Sequence, residues 1–155
     1  MNEKDFEKYC FLRLHSVDMD TARHTLKMLK RYRKNDIKVV MLRDIAVTYA
    51  RPFVSNKGIH IPKHTLSEKQ HVPKTLKHVH KRLLELRNSQ LAHTDISFHK
   101  PKVMRWKGDK YDTYPISLKS FDYLGLLRQI NEIENLINAV EASLCDEIKS
   151  YESQF

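Results

Sequence analysis

Apolar residues recur along most of this chain at spacings of three and four, the period at which side chains share one face of an α-helix. Over 5–15, Phe6, Tyr9, Cys10 and Phe11 predict a short first helix. Ala22, Leu26, Leu29 and Tyr32 follow at spacings of four, three and three, with Lys27, Lys30, Arg31, Arg33 and Lys34 on the other side. That predicts an amphipathic second helix with Asp18 or Asp20 as its N-cap. The next stretch, 37–51, is apolar nearly all round, through Val39, Val40, Met41, Leu42, Ile45, Ala46 and Val47. It predicts the most buried helix, opened by Asn35-Asp36 and ended by Pro52. Leu76, Val79, Leu83, Leu84, Leu86 and Leu91 stripe a helix over 74–91. Over 117–151 apolar residues again recur at threes and fours, giving one long helix or two broken near Gly125. Glu132, Glu134, Glu141, Asp146 and Glu147 make its outer face acidic, and its tail is expected to overhang the bundle.

The pattern departs from this period twice. Residues 53–73 contain Gly58, Pro62, Pro73 and polar turn formers, and read as a loop. Residues 102–106 and 110–114 flank Lys107-Gly108-Asp109 and read as a β-hairpin turning at Gly108. The expected fold is therefore all-α: a bundle of four to five helices with a long C-terminal helix and a small hairpin insertion near 100–115. At 155 residues the chain is expected to form one domain, 1–155.

Charge adds a direction to this picture. The formal net charge is +9, carried unevenly. Residues 1–20 hold 3 Lys/Arg against 5 Asp/Glu, residues 21–110 hold 22 against 6, and residues 111–155 hold 3 against 8. A basic middle segment favours a polyanionic partner, and nucleic acid is the expected one once the motif at 87–93 is added. The bland counterpart is a bundle whose basic and acidic faces neutralise each other across helices. Cys10 and Cys145 lack metal-type spacing and read as two reduced thiols. His60 and His64 have a ligand-like spacing of four, but Pro62 between them argues against a helix, so they read as loop histidines and no metal site is expected. No apolar run approaches the ~20 residues that span a bilayer, and residues 1–5 lack a signal-peptide core. The expectation is a cytoplasmic protein without a membrane partner.

The chemistry concentrates at Arg87-Asn88-Ser89-Gln90-Leu91-Ala92-His93. An arginine can neutralise a phosphate and a histidine can move a proton near neutral pH, together a minimal kit for cutting RNA without a metal. On a helical wheel Arg87 falls within the apolar stripe, with His80 beside it two turns earlier. A guanidinium there needs a partner: a core carboxylate, Asp44 being the candidate, or a phosphate in a groove. Six residues of continuous helix rotate His93 about 120° from Arg87, so either the chain folds back or a second copy supplies the complementary set. His80, Lys81, Lys100, Lys102, Arg105, Lys107 and Lys110 are the expected RNA contacts. Trp106 and Tyr111 lie among these lysines, where aromatics can stack on bases, although Trp106 is expected to pack on the bundle as in an ordinary hairpin.

The 87–93 stretch resembles the R-x(4–6)-H motif of the HEPN superfamily, helical proteins that include bacterial toxin and antiphage ribonucleases. The residue after the arginine in that motif is usually polar, and here it is Asn88. Residues Tyr49-Ala-Arg-Pro-Phe53 and Ala92-His-Thr-Asp95 resemble segments of the abortive-infection type within that superfamily. The resemblance implies a metal-independent endoribonuclease in phage defence or a toxin–antitoxin system, with Arg87, Asn88 and His93 as the catalytic set. It implies no cofactor, transesterification by the ribose 2′-hydroxyl, and products ending in a 2′,3′-cyclic phosphate. It also implies a homodimer, since HEPN motifs meet across a dimer or pseudo-dimer, and an antitoxin protein as a further partner. Members without activity exist, so the alternative is a non-catalytic HEPN-like helical module that binds RNA, nucleotide or a protein partner.

Overall fold

The computed structural model describes residues 2–92 and 95–153. It is mostly helical, with a long C-terminal helix and one small antiparallel hairpin. The first helix, α1, runs unbroken over Glu3–Leu29. Sequence reading split this region in two. No Gly or Pro interrupts it, and Leu12, His15, Met19, Ala22, Leu26 and Leu29 form one continuous buried face. Asp18 and Asp20 are therefore mid-helix ion-pair partners, of Arg51 and Arg23, and the N-cap is Asn2, whose side chain accepts the Asp5 N–H. A capped, Gly-free run with one apolar face is what lets a helix of this length persist.

Helix α2 (Asn35–Ala50) buries Leu42, Ile45, Ala46, Tyr49 and Ala50 and passes at Pro52 into a 3₁₀ turn, Arg51–Phe53. Its opening turn is less buried than the sequence pattern implied: Val40 is exposed. The following loop carries a short helix, α3 (Glu68–His71), and a 3₁₀ turn, Lys74–Leu76, leads into α4 (Lys77–Leu86). After α4 come a π-helical turn over Arg87–Ala92 and a short helix α5 (Ile96–His99). The hairpin strands β1 (Lys102–Val103) and β2 (Ile116–Ser117) follow, and then α6 (Tyr123–Leu127) and α7 (Ile130–Glu152). The 117–151 segment is thus two helices, parted at Arg128 and Gln129 rather than at Gly125.

Helix α1 packs against both α2 and α7, and α4 crosses α2 and α7 to close the core. The end of α7 does not overhang. Ile148 is buried, and Glu152 accepts hydrogen bonds from Tyr9 and Arg13 of α1 at 3.2 and 3.3 Å. The acidic face of α7 is likewise spent on neighbours: Glu141 pairs with Arg23, Glu134 with Lys30 at 2.6 Å, and Glu132 with His78 at 2.6 Å. Cross-helix neutralisation therefore accounts for part of the basic charge, but not for that around 100–119. Among the described residues no helix is long and apolar enough to cross a membrane.

Histidines pin the 53–73 loop to the bundle. His64 stacks on Phe11 with ring centroids 4.5 Å apart and meets His15 Nε2 at 3.2 Å. His71 is buried between Ser143 at 2.9 Å and Glu147 at 3.1 Å. At the loop's outer turn the Glu7 carboxylate accepts the backbone N–H groups of Ile59, His60 and Ile61, which hold it below the usual carboxylate range against the opposing pull of desolvation.

Candidate functional site

The end of α4 is where the chain leaves regular α-helical geometry. The Arg87 N–H is shared between the carbonyls of Leu83 and Leu84, and the π turn begins there. π-helical turns are rare overall and frequent at functional sites. Ser89, buried in this turn, donates its hydroxyl back to the Glu85 carbonyl at 2.5 Å and satisfies part of the loosened ladder.

Arg87 is half-buried and donates to Asn88 Oδ1 at 2.9 Å. Among the described residues no carboxylate pairs with it. Asp44, the carboxylate proposed for it on sequence grounds, instead accepts the Thr25 hydroxyl at 2.9 Å. Arg82, one turn earlier, is a useful contrast. It is engaged by Gln129 at 2.6 Å, by the Asp122 backbone carbonyl at 3.2 Å and by the Asp122 carboxylate at 3.5 Å, tying α4 to the start of α7. His93 and Thr94 lie outside the described residues, and with them the histidine half of the motif.

Asn88 lines an open groove of about 680 Å³ together with Glu85, Ser89, Asp95, Lys100 and Lys119. That volume suits a small-molecule or nucleotide-sized group. Asp95 is occupied as the N-cap of α5: it accepts from the Ser97 hydroxyl at 2.6 Å and from the Ser97 and Phe98 N–H groups. The Ser97 hydroxyl, foremost among these, holds the Asp95 carboxyl below the usual carboxylate range. Lys100 ends α5 in the left-handed region, with φ 43° and ψ 60°, a conformation uncommon outside glycine. Lys119 N–H donates to the His99 carbonyl at 2.7 Å, and the Lys119 ammonium lies 4.6 Å from the centre of the Phe98 ring. Lys119 was not among the residues singled out from sequence. The expected second arm, 110–114, ends short of it; the arm that pairs is 113–117, and that shift brings Lys119 beside Lys100.

His80 does not belong with the RNA contacts. It is fully buried: Tyr49 Oη meets its Nδ1 at 2.7 Å, Phe53 packs edge-on at 4.7 Å, and Glu68 Oε1 stands 3.3 Å from Nε2 without hydrogen-bonding geometry. Burial is the main cause that pushes its pKa down, against the opposing pull of Glu68, so it stays neutral. Sequence reading set it beside the apolar stripe yet counted it among the RNA contacts; its burial corrects that. Lys81 is exposed on α4, seven residues before Asn88, and two turns of helix put both near one face.

The remaining basic residues sit on the hairpin. Its register pairs Lys102 with Ser117 and Val103 with Ile116, and a bridge pairs Trp106 with Thr113. The ladder is longer than its two assigned strands, with Met104 N–H donating to the Pro115 carbonyl at 3.0 Å. Residues 107–112 form the tip. Lys100, Lys102, Lys107 and Lys110 are exposed; so is Arg105, whose guanidinium is held by Asp112 at 2.6 and 2.7 Å. Trp106 does not pack on the bundle. It is 63% exposed, with Tyr111 at 74% and Tyr114 at 62%. Both faces of the ribbon meet solvent, so no bundle surface receives the ring. Among the described residues no group of three or more His, Cys, Asp or Glu is placed to hold a metal. No family model, no curated protein and no solved structure matches the chain.

Proposed function

We propose that the protein is a metal-independent endoribonuclease of the HEPN type, acting in phage defence or as the toxin of a toxin–antitoxin pair. The observation that carries this reading is Arg87: a half-buried guanidinium on a π turn, without a carboxylate partner among the described residues, joined to an asparagine on the wall of a groove rimmed by Lys100 and Lys119. A guanidinium that keeps donors free of carboxylates is open to an anion, and the paired oxygens of an incoming phosphate suit it.

In this mechanism His93 moves the proton of the ribose 2′-hydroxyl or of the leaving oxygen. Arg87 stabilises the charge that builds on the phosphate, and Asn88 holds the guanidinium. The oxygen–phosphorus bond to the leaving 5′-oxygen breaks as the 2′-oxygen bonds to phosphorus, leaving a 2′,3′-cyclic phosphate. One motif per chain supplies one arginine and one histidine, so the reading includes a homodimer.

The deciding experiment is incubation of the full chain with tRNA and messenger RNA in EDTA. Arg87→Ala and His93→Ala should each slow cleavage by about a hundredfold or more. Cleavage at the wild-type rate in either variant would sink the assignment. Light scattering at micromolar concentration checks the dimer, and growth arrest on expression of the wild type but not of His93→Ala checks the toxin role. The second reading, a module that holds RNA without cutting it, is favoured by Glu85, a carboxylate in the same groove that repels a phosphate there. RNA binding by both the wild type and Arg87→Ala, with cleavage by neither, would establish it.

A further inference from the structure

Seven large apolar side chains stand more than two-fifths exposed between Lys102 and Lys119, including Trp106, Tyr111 and Tyr114. The chain from 100 to 119 also carries six Lys/Arg against two Asp. A two-stranded ribbon is marginal by itself in water, and one that buries neither face gains little from the bundle. So much exposed aromatic surface on a small element marks a contact site. At the tip, Trp106 and Tyr111 flank a shallow pocket whose edge is set by Lys107, Lys110 and Thr113.

We propose that this hairpin seats single-stranded RNA, with successive bases stacked on Trp106 and Tyr111 and the backbone led by lysines toward the groove beside Asn88. The proposal deepens the RNA reading above and rests on it. Three features select this occupant. The charge is complementary to a phosphate chain, and aromatic rings among lysines are the sequence-tolerant way to hold unpaired bases. The path is continuous: Lys102 lies at the base of the ribbon and Trp106 four residues up it, about 13 Å along the strand, while Lys100 and Lys119 at its two ends line the groove of Asn88. The tip is charged and turns through Lys107, Gly108, Asp109 and Lys110, the part a membrane-inserting hairpin would have to bury first, which disfavours a bilayer. Two like-charged ribbons also repel, which disfavours a second copy here. A duplex keeps its bases stacked inside and offers no free face to the rings.

Trp106 is the chain's one tryptophan, so its fluorescence reports on this site alone. The test titrates the full chain, in the Arg87→Ala background so that substrate survives, with a short oligouridylate, a duplex RNA of equal length, and phosphatidylserine–phosphatidylcholine vesicles. The expected result is saturable quenching by the oligouridylate and much weaker quenching by the duplex. By anisotropy, Trp106→Ala and Tyr111→Ala should each weaken oligouridylate binding by about tenfold, and Trp106→Phe should keep most of the affinity. No quenching, an unchanged affinity in Trp106→Ala, or a response to vesicles and not to RNA overturns the proposal. Wild-type cleavage without quenching removes the hairpin and leaves the nuclease. Quenching without cleavage does the reverse. Because the quenching is read without altering Trp106, the result does not depend on any hairpin variant folding.

Discussion

At the scale of single residues, the candidate site combines a strained position, Lys100, with Arg87, a cation that has no carboxylate partner among the described residues. Lys100 occupies left-handed backbone that costs a non-glycine residue about 1 kcal/mol. Lys100→Gly should therefore keep or raise the unfolding free energy, by up to about 1 kcal/mol, while weakening RNA binding and lowering its salt dependence by about one counterion. Urea melts beside a salt titration of affinity check this; a clear loss of stability would show that the lysine is kept for the fold. Tyr49→Phe tests the core counterpart. It strips buried His80 Nδ1 of its 2.7 Å partner and should cost about 1–3 kcal/mol in the same melts. Much of this scale was legible in the sequence. The 87–88 pair stood out, and the wheel placed both Arg87 and His80 on the apolar side. What the wheel leaves open is which polar residue finds a partner there. His80 meets Tyr49 and Phe53 from α2 and the turn after it, a meeting set by tertiary packing and not by spacing within α4.

Among the elements, the hairpin and α4 have opposite standing. Helix α4 buries Val79, His80, Leu83 and Leu86 and cannot be shortened without opening the core. The hairpin buries almost nothing, so it should be removable. Replacing 103–116 with Asn-Gly, a two-residue turn suited to the Lys102 and Ser117 pairing, should move the thermal midpoint by only a few degrees and abolish binding of unpaired RNA. A large fall in midpoint would mean that the ribbon supports the bundle. The hairpin was readable from Gly108 and the flanking alternation, because turn chemistry is local. The exposure of Trp106 was not, because an alternating strand reads the same whether or not a surface waits beneath it. The π turn was hidden for a related reason: Leu83, Leu84, Leu86 and Leu91 fit an α-helical stripe, and the departure from it lies in the backbone ladder. The unbroken α1 was missed because Asp18 and Asp20 look like caps, yet no Gly or Pro interrupts the run and its apolar face continues past them.

Across the whole molecule, acid is the expected weakness. His15 is buried under Phe11 and His64, and burial, reinforced by the nearby His64 and His71, pushes its pKa down to about 4. His64, His71 and His80 are lowered as well, chiefly by burial, with Glu147 pulling the first two back up and Glu68 the third. Lys8 is the cation that faces His64. A histidine whose folded pKa lies below its unfolded value near 6.5 contributes stability that is whole above that pH and is lost as pH falls toward the folded value. Denaturant midpoints should hold from pH 8 to about 7 and then fall steadily toward pH 4, where His15 alone accounts for a loss on the order of 3 kcal/mol. His15→Phe should flatten that fall; an unchanged slope would assign the acid response to other groups. The 53–73 loop should open first, since His64, His71 and the Glu68 beside His80 fasten it.

The pairing of α1 with α7 also sets an order of events in time. A ribosome releases α1 before α7, yet part of its packing is with residues more than a hundred positions later, as the ion pairs of Arg23 with Glu141 and Arg13 with Glu152 mark. Until α7 emerges, the apolar side of a 27-residue helix has only α2, the turn after it and the 53–73 loop to cover it. Closure over so long a separation is entropically late and leaves greasy surface open during synthesis. A nascent chain halted near Gln129 should therefore be soluble only while a chaperone holds α1, and should become protease-resistant in a single step once the final helix is out.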